Sequence, residues 1–303
     1  MAQMSDNRVP SRNGLAVGAL CGILAAVCYG ANPLGAVMLH RAGIGTGHML
    51  MWRFAFAAML LGGWMLVRRE SFGLTRRNLM VTLLLGALFA VSSQTFYASF
   101  LLMDVGIACT LLFIYPILTA LMMAVCFGER LTLATLGACA LAFAGIAVLS
   151  LGGGEHRVSV EGLVLVGLSA LTYALYIIVL NRSAPKLSLS ALTFWVLLFC
   201  LMGVAGWTAC SAGVSAFTLP KGGEQWGYAL FLAVVPTLLS LMFMAVSARR
   251  LGSTPTAILG ALEPLTAVAV GVLVFGEALT VRLGIGTVCV LLAVGLTLLR
   301  RRV

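Results

Sequence analysis

The sequence predicts an all-α membrane protein: ten transmembrane helices arranged as two inverted five-helix repeats around a central cavity. Three observations carry that reading. The 303 residues are 61% hydrophobic and only 9% charged, with a mean hydropathy of +1.09. The apolar residues fall into ten runs of membrane-spanning length. And a stretch at 112–132, LFIYPILTALMMAVCFGERLT, returns 148 residues later at 260–280 as GALEPLTAVAVGVLVFGEALT.

Soluble domains carry roughly 25% charged residues, so this chain could not dress a globular surface of its size. The net charge of +10 does not point to nucleic acid, because the basic residues lie between apolar runs rather than on one face or tail. The eight cysteines (Cys21, Cys28, Cys109, Cys126, Cys139, Cys200, Cys210 and Cys289) form no C-x-x-C pair and sit in or beside apolar runs. Cysteine in such places behaves as a small hydrophobe, so neither a disulfide framework nor a metal site is expected. The amino-terminal MAQMSDNRVPSRNG is polar, but the apolar run from Leu15 continues past Leu34 without a small-residue cleavage site. An uncleaved first span is expected.

A bilayer core of about 30 Å takes roughly 20 apolar residues in helical form, and the runs lack strand alternation. The first span, 15–39, contains Tyr29 and Asn32 one turn apart, and Pro33 should kink it. The second, 47–67, holds Arg53 in W-R-F-A-F; the third, 79–102, carries SSQTFY, with Gln94 and Tyr97 at i, i+3 on one face. The fourth, 106–127, has Tyr115 before Pro116, and the fifth is 132–151. The sixth, 162–180, carries Tyr173 and Tyr176; the seventh is 190–212; the eighth, 225–247, has Pro236 and Thr237. The ninth, 254–275, has Glu263 before Pro264, and the tenth, 280–299, ends on Arg300, Arg301 and Arg302. The expected organisation is a cytoplasmic tail at 1–14, a first repeat at 15–151, an outer linker at 152–161, a second repeat at 162–299 and a basic tail at 300–303.

Lys and Arg favour the cytoplasmic side of short loops. With the amino terminus inside, Arg8, Arg12, Arg68, Arg69, Arg76, Arg77, Arg130, Arg182, Lys186, Arg249, Arg250, Arg300, Arg301 and Arg302 face the cytoplasm, against Arg41, Arg157, Lys221 and Arg282 outside. Both termini are therefore expected in the cytoplasm. The 148-residue offset maps Gly14 onto Gly162, so the repeated unit holds five spans. An odd number flips the second copy, which puts Glu129 and Glu277 on opposite faces. Inverted repeats are a recurrent transporter design with the site near midplane between the copies. In the Phe-Gly-Glu-x-Leu-Thr element, Gly128 and Gly276 suit a helix C-terminus and Thr132 and Thr280 the next N-cap. The two glutamates are expected to serve that hairpin, facing the new helix's positive end.

These features resemble the EamA family of the drug/metabolite transporter superfamily over essentially the whole chain. Y-P-I-L-T-A…F-G-E-R-L-T closes the fourth span and L-E-P-L-T-A…F-G-E-A-L-T the ninth; Arg53 in W-R-F-A-F matches a further common feature. The resemblance implies ten helices around a central cavity and secondary transport. It commonly implies export of amino acids or related metabolites across the bacterial inner membrane. It fixes the mechanism class better than the cargo.

A charge within a span costs about 2.5–3.5 kcal/mol on insertion scales, so it should face a cavity or a partner. Glu263 has several roles open to it: binding a substrate ammonium, carrying a coupling proton, pairing with Arg53, or accepting a hydrogen bond beside Pro264. Arg53 either snorkels outward or stays inside as an ion pair or anion contact. Asp104 reads as a turn residue between the third and fourth spans. The midplane set of Tyr29, Asn32, Gln94, Tyr97, Tyr115, Tyr173 and Tyr176, together with Glu263, would form an aromatic pocket for a small amphipathic or zwitterionic solute. Pro33, Pro116, Pro236 and Pro264 mark the expected breaks in backbone regularity. An enzyme is not expected: His40, His48 and His156 lie at membrane edges or in a loop, and no nucleophile–base, metal or phosphate-loop motif occurs. No cofactor and no metal are expected. The expected partners are a small-molecule substrate, the lipid bilayer and protons, in a monomer or weak dimer. Multidrug or cation efflux, an exchanger of nucleotide sugars or sugar phosphates, and a non-transporting receptor or scaffold remain as alternatives.

Overall fold

The computed structural model describes residues 12–99, 102, 108, 111–129, 132–150, 159–183, 187–212, 219–275 and 281–299. The regular structure of those residues is helical. In chain order the helices are α1 Arg12–Gly30, α2 Asn32–Arg41, α3 Thr46–Val67, α4 Arg76–Ser99, α5 Tyr115–Phe127, α6 Leu133–Ser150 and α7 Val160–Ser183. They continue with α8 Leu189–Ala212, α9 Gly222–Ala233, a π-helical turn at Val234–Leu239, α10 Ser240–Leu251, α11 Ser253–Leu259, α12 Leu262–Phe275 and α13 Val281–Leu299. Each of the ten expected segments contains at least one of these helices. Among the described residues six stretches are long and apolar enough to cross a membrane: Gly14–Arg41, Thr46–Val67, Arg76–Ser99, Val160–Ser183, Leu189–Cys210 and Gly222–Leu251. Tyr115–Phe127, Leu133–Val148 and Gly284–Val294 are shorter apolar helices. Asp104, Lys186, His156, Gly276, Glu277, Thr280 and both terminal tails lie outside the described residues.

The breaks follow the prolines. The first segment turns at Ala31, and Pro33 then sits at the start of α2, where a missing N–H costs no hydrogen bond. In the fourth segment a turn at 113–114 precedes α5, which places Pro116 in its first turn. The ninth segment breaks at the equivalent place, with a turn at 260–261 before α12 and its Glu263-Pro264. In the eighth, Pro236 is absorbed by the π turn. A π-bulge is one of the few ways a helix accommodates a lost donor without ending.

The hairpin after α5 matches its expected chemistry in part. Gly128 adopts a left-handed conformation at φ 67° and donates its N–H to the Ala124 carbonyl, while the Glu129 N–H donates to the Met123 carbonyl. The Thr132 hydroxyl caps α6 by accepting from the Thr135 N–H at 3.3 Å. Glu129 differs from expectation. Its carboxylate accepts a hydrogen bond from the Thr254 hydroxyl at 3.4 Å, so it reaches across to the second repeat.

Most helix packing runs between the two repeats, and its pattern is unchanged when the repeats are exchanged. α4 lies along α7 just as α10 lies along α1, while α5 meets α7 as α12 meets α1. The pairs α6–α13 and α3–α8 map onto themselves. The match reaches single donors: the Ser92 hydroxyl donates to the Ser169 carbonyl at 3.2 Å, and Ser240, 148 positions on, donates to the Ala25 carbonyl at 3.0 Å, one turn from the counterpart of Ser169. Small residues let these backbones close up, as helix pairs in lipid require. A Cβ at Gly86 would come within 2.5 Å of the Phe199 Cβ, and one at Gly145 within 2.8 Å of the Cys289 Cβ. Outward faces are apolar; Leu133 is 89% exposed and Leu273 83%. Such faces suit hydrocarbon.

Gly86→Val and Gly145→Val should each destabilise the detergent-solubilised protein by about 1–3 kcal/mol, as overpacked cores do. Gly137→Ala, where a Cβ meets open space, should leave the melting temperature unchanged. Thermal unfolding followed by fluorescence measures both.

Candidate solute cavity

The breaks bring polar groups together where the repeats meet. Arg53, on α3, is only 1% exposed. Its Nε donates to the Thr237 hydroxyl, Nη2 donates to the Pro236 carbonyl at 3.1 Å, and Nη1 makes a long contact to Asn32 Oδ1 at 3.5 Å. The outward-snorkelling option is thereby overturned. The π turn swings the Pro236 carbonyl and Thr237 into reach, and a guanidinium satisfied inside the protein has no reason to leave. Thr237 in turn donates to the Leu232 carbonyl at 2.7 Å. The guanidinium also lies 5.2 Å from the centre of the Tyr29 ring and 5.6 Å from that of Phe54. Asn32 Nδ2 donates to the Tyr97 hydroxyl at 2.8 Å, so α2, α3, α4 and the π turn share one network.

A cavity of about 300 Å³, part of it open, lies beside this network. Its walls are Tyr29, Phe89, Ser92, Ser93, Phe96, Leu112, Ser169, Tyr173 and Glu263. Most of that figure is the open mouth; the space that water can enter is about 10 Å³, room for about one water, so a solute needs the walls to part. Glu263 sits in the first turn of α12, where a carboxylate is favoured by the helix's positive end. It is 7% exposed, and its Oε1 has no hydrogen-bond partner. The partners of Arg53 among the described residues are neutral groups and ring faces, so no Arg53–Glu263 ion pair forms.

The residues named from the sequence separate into three groups. Tyr29, Tyr173 and Glu263 line the cavity. Tyr115 stands behind it: the hydroxyl donates to the Ala257 carbonyl at 3.0 Å, and the ring meets Tyr173 edge-on at 4.8 Å. Tyr176 stacks on Tyr173 at 6.1 Å and packs on Phe89, while Asn32 and Tyr97 belong to the Arg53 network. Gln94 points elsewhere, its amide reaching the Val204 carbonyl on α8 at 3.5 Å. The cavity face of α4 is instead Phe89, Ser92, Ser93 and Phe96, whose spacing of three and four was available in the sequence. Ser169 had no such signal. It enters because α4 and α7 cross there, with Ser92 and Ser169 hydroxyls 3.1 Å apart and Ser169 donating to the Ser92 carbonyl at 2.8 Å.

Arg53→Lys should lower stability by about 1.5–3 kcal/mol or more, since a single ammonium cannot replace a fork of charged hydrogen bonds. Glu263→Gln should leave the melting temperature unchanged or raise it, because it removes a buried charge lacking a partner at one oxygen. Paired melting curves of the two variants test both outcomes.

The sequence pattern of the EamA-like transporter family matches this chain twice, over residues 16–151 and 160–299. Among solved structures, one described only as the crystal structure of a protein superposes with a TM-score of 0.75 at 20% identity. The alignment covers 94% of this chain and 99% of that one, and at that identity it establishes a shared fold alone. No curated protein matches. The chain belongs to the EamA-like transporter family, as a multi-pass membrane protein of the drug/metabolite transporter type.

Proposed function

We propose that this member of the EamA-like transporter family is a secondary active or facilitative transporter that exports small metabolites, above all amino acids or related amphipathic solutes. In this reading it lies in the bacterial inner membrane with both termini in the cytoplasm. Its ten spans form two inverted units that exchange conformations around the shared cavity. The observation that carries the proposal is Glu263: a buried carboxylate oxygen without a partner, facing a cavity of tyrosine, phenylalanine and serine between the repeats. Buried polar groups normally find partners. One left open toward a cavity is a group kept for a visitor.

The geometry supports particular roles. Glu263 would hold a cationic group of the solute, and a proton could occupy the same oxygen when the solute leaves. Tyr29, Tyr173, Phe89 and Phe96 offer apolar contact to the rest of the solute, while Ser93 offers a hydroxyl. Arg53 contacts the helix breaks and acts on the solute only through Tyr29 and Asn32. An exchanger of anionic sugars would need free cations in the cavity, and among the described residues its wall has no basic one.

Counterflow in proteoliposomes with labelled amino acids and small cations, with and without a proton gradient, tests the reading. Wild-type protein should accumulate label, and Glu263→Gln should reduce the rate at least about tenfold while folding normally; a single lost charged contact is of that size. Full flux in the variant, or no flux of any solute in the wild type, would refute it.

A further inference from the structure

The cavity wall is unbalanced in a way that bears on cargo. Among the described residues it presents one acid, with an oxygen that has no partner, and no base. The nearest fixed cation identified, Arg53, is outside the wall, buried, and committed to the Pro236 carbonyl, Thr237 and Asn32. Ser92 and Ser169 are committed as well, each bonding the other's helix. A solute carboxylate entering here would lose its water and find no charged donor, which is costly. An ammonium would find Glu263, with aromatic faces around it that also attract cations. We infer that the site reads a primary ammonium and leaves a carboxylate unread: the cargo class is small amines with an apolar body, and amino acids enter it through their ammonium group alone. This rests on the transport reading above and narrows it.

The test is ligand-induced thermal stabilisation of the purified full chain, beside counterflow competition in proteoliposomes. The probes are leucine, leucinamide, the decarboxylated amine 3-methylbutylamine and the deaminated acid 4-methylpentanoate. The amide and the amine should stabilise the protein and compete at least as well as leucine, and the acid should be weaker by about tenfold or more. Glu263→Gln should abolish stabilisation by all three amines. An acid as effective as leucine, or no stabilisation by any amine, would overturn the inference. Flux failing while amines still bind would refute transport and leave the recognition intact.

A separate observation concerns the end of the molecule that carries Glu129. Two contacts tie the repeats there: Thr254 to Glu129 at 3.4 Å, and the Arg182 guanidinium over the Phe127 ring at 4.4 Å. Exchanging the repeats would demand the same contacts at the other end, from residues 148 positions earlier. Those are Gly106 for Thr254 and Leu34 for Arg182, and neither has a polar or charged side chain. The two exchanged conformations are therefore unequal in energy. We infer that the chain rests closed at the Glu129 end, with these contacts as a latch that the opposite end lacks.

Amide hydrogen exchange on the native chain should be slower in the turn after Phe127 than in its counterpart after Phe275. The variant Thr254→Val with Arg182→Gln should erase that difference. A Ser93→Cys probe in a cysteine-free background should react with an impermeant maleimide about fivefold more slowly from the Glu129 side, and the same two changes should speed it. Equal exchange at the two ends, or equal labelling from both sides, would overturn the latch.

Discussion

A polar backbone group inside a bilayer has to find its partner within the protein, and this chain interrupts its helices at the first, fourth, eighth and ninth segments. The consequences of that single constraint run through the structure. Each interruption exposes a carbonyl or a helix start that cannot face lipid, so the interrupted segments are driven together in the interior. Arg53 takes the Pro236 carbonyl, Tyr115 takes the Ala257 carbonyl, and Gly30 lets α1 lie against the Glu263 carbonyl, where a Cβ would collide. The cavity is the space these contacts leave.

Duplication makes such an interior cheap to specify. One helical unit, used twice, supplies both sides of the main crossings, and the packing pattern survives exchange of the copies. The copies then diverge at the place where symmetry would be useless. Beside the helix start of α5 stands Tyr115, whose hydroxyl crosses to the ninth segment and fixes it. At the matching start of α12 stands Glu263, whose oxygen fixes nothing. One repeat closes the joint and the other leaves a charge at it.

Much of this was legible in the sequence for simple reasons. Apolar runs, the repeated Phe-Gly-Glu and the four prolines are local signals. They located the helical segments, the repeat and the breaks, and Gly128 and Thr132 took the cap roles their residue types suggest. The site was less legible. Gln94 and Tyr97 share a helix face, yet Gln94 turns to α8 and the adjacent serine–phenylalanine face meets the cavity; a helix with polar residues on two faces does not say which one faces inward. Ser169 and Glu129 depend on which helices cross, information no single stretch contains. Arg53 was the hardest case, because its burial follows from a π turn 184 residues away.

The same contrast explains why two buried charges in one chain have opposite fates. A guanidinium with three neutral acceptors and two ring faces is satisfied where it stands, so Arg53 behaves as a rivet between broken helices. A carboxylate with an unpartnered oxygen is a local conflict, and conflicts of that kind persist mainly where they serve a function. Selection for stability alone would have placed tyrosine at both helix starts, since the first copy demonstrates that tyrosine fits. That the second copy keeps an acid beside a cavity, at a cost the fold could have avoided, is the strongest physical reason to place the chemistry of transport there.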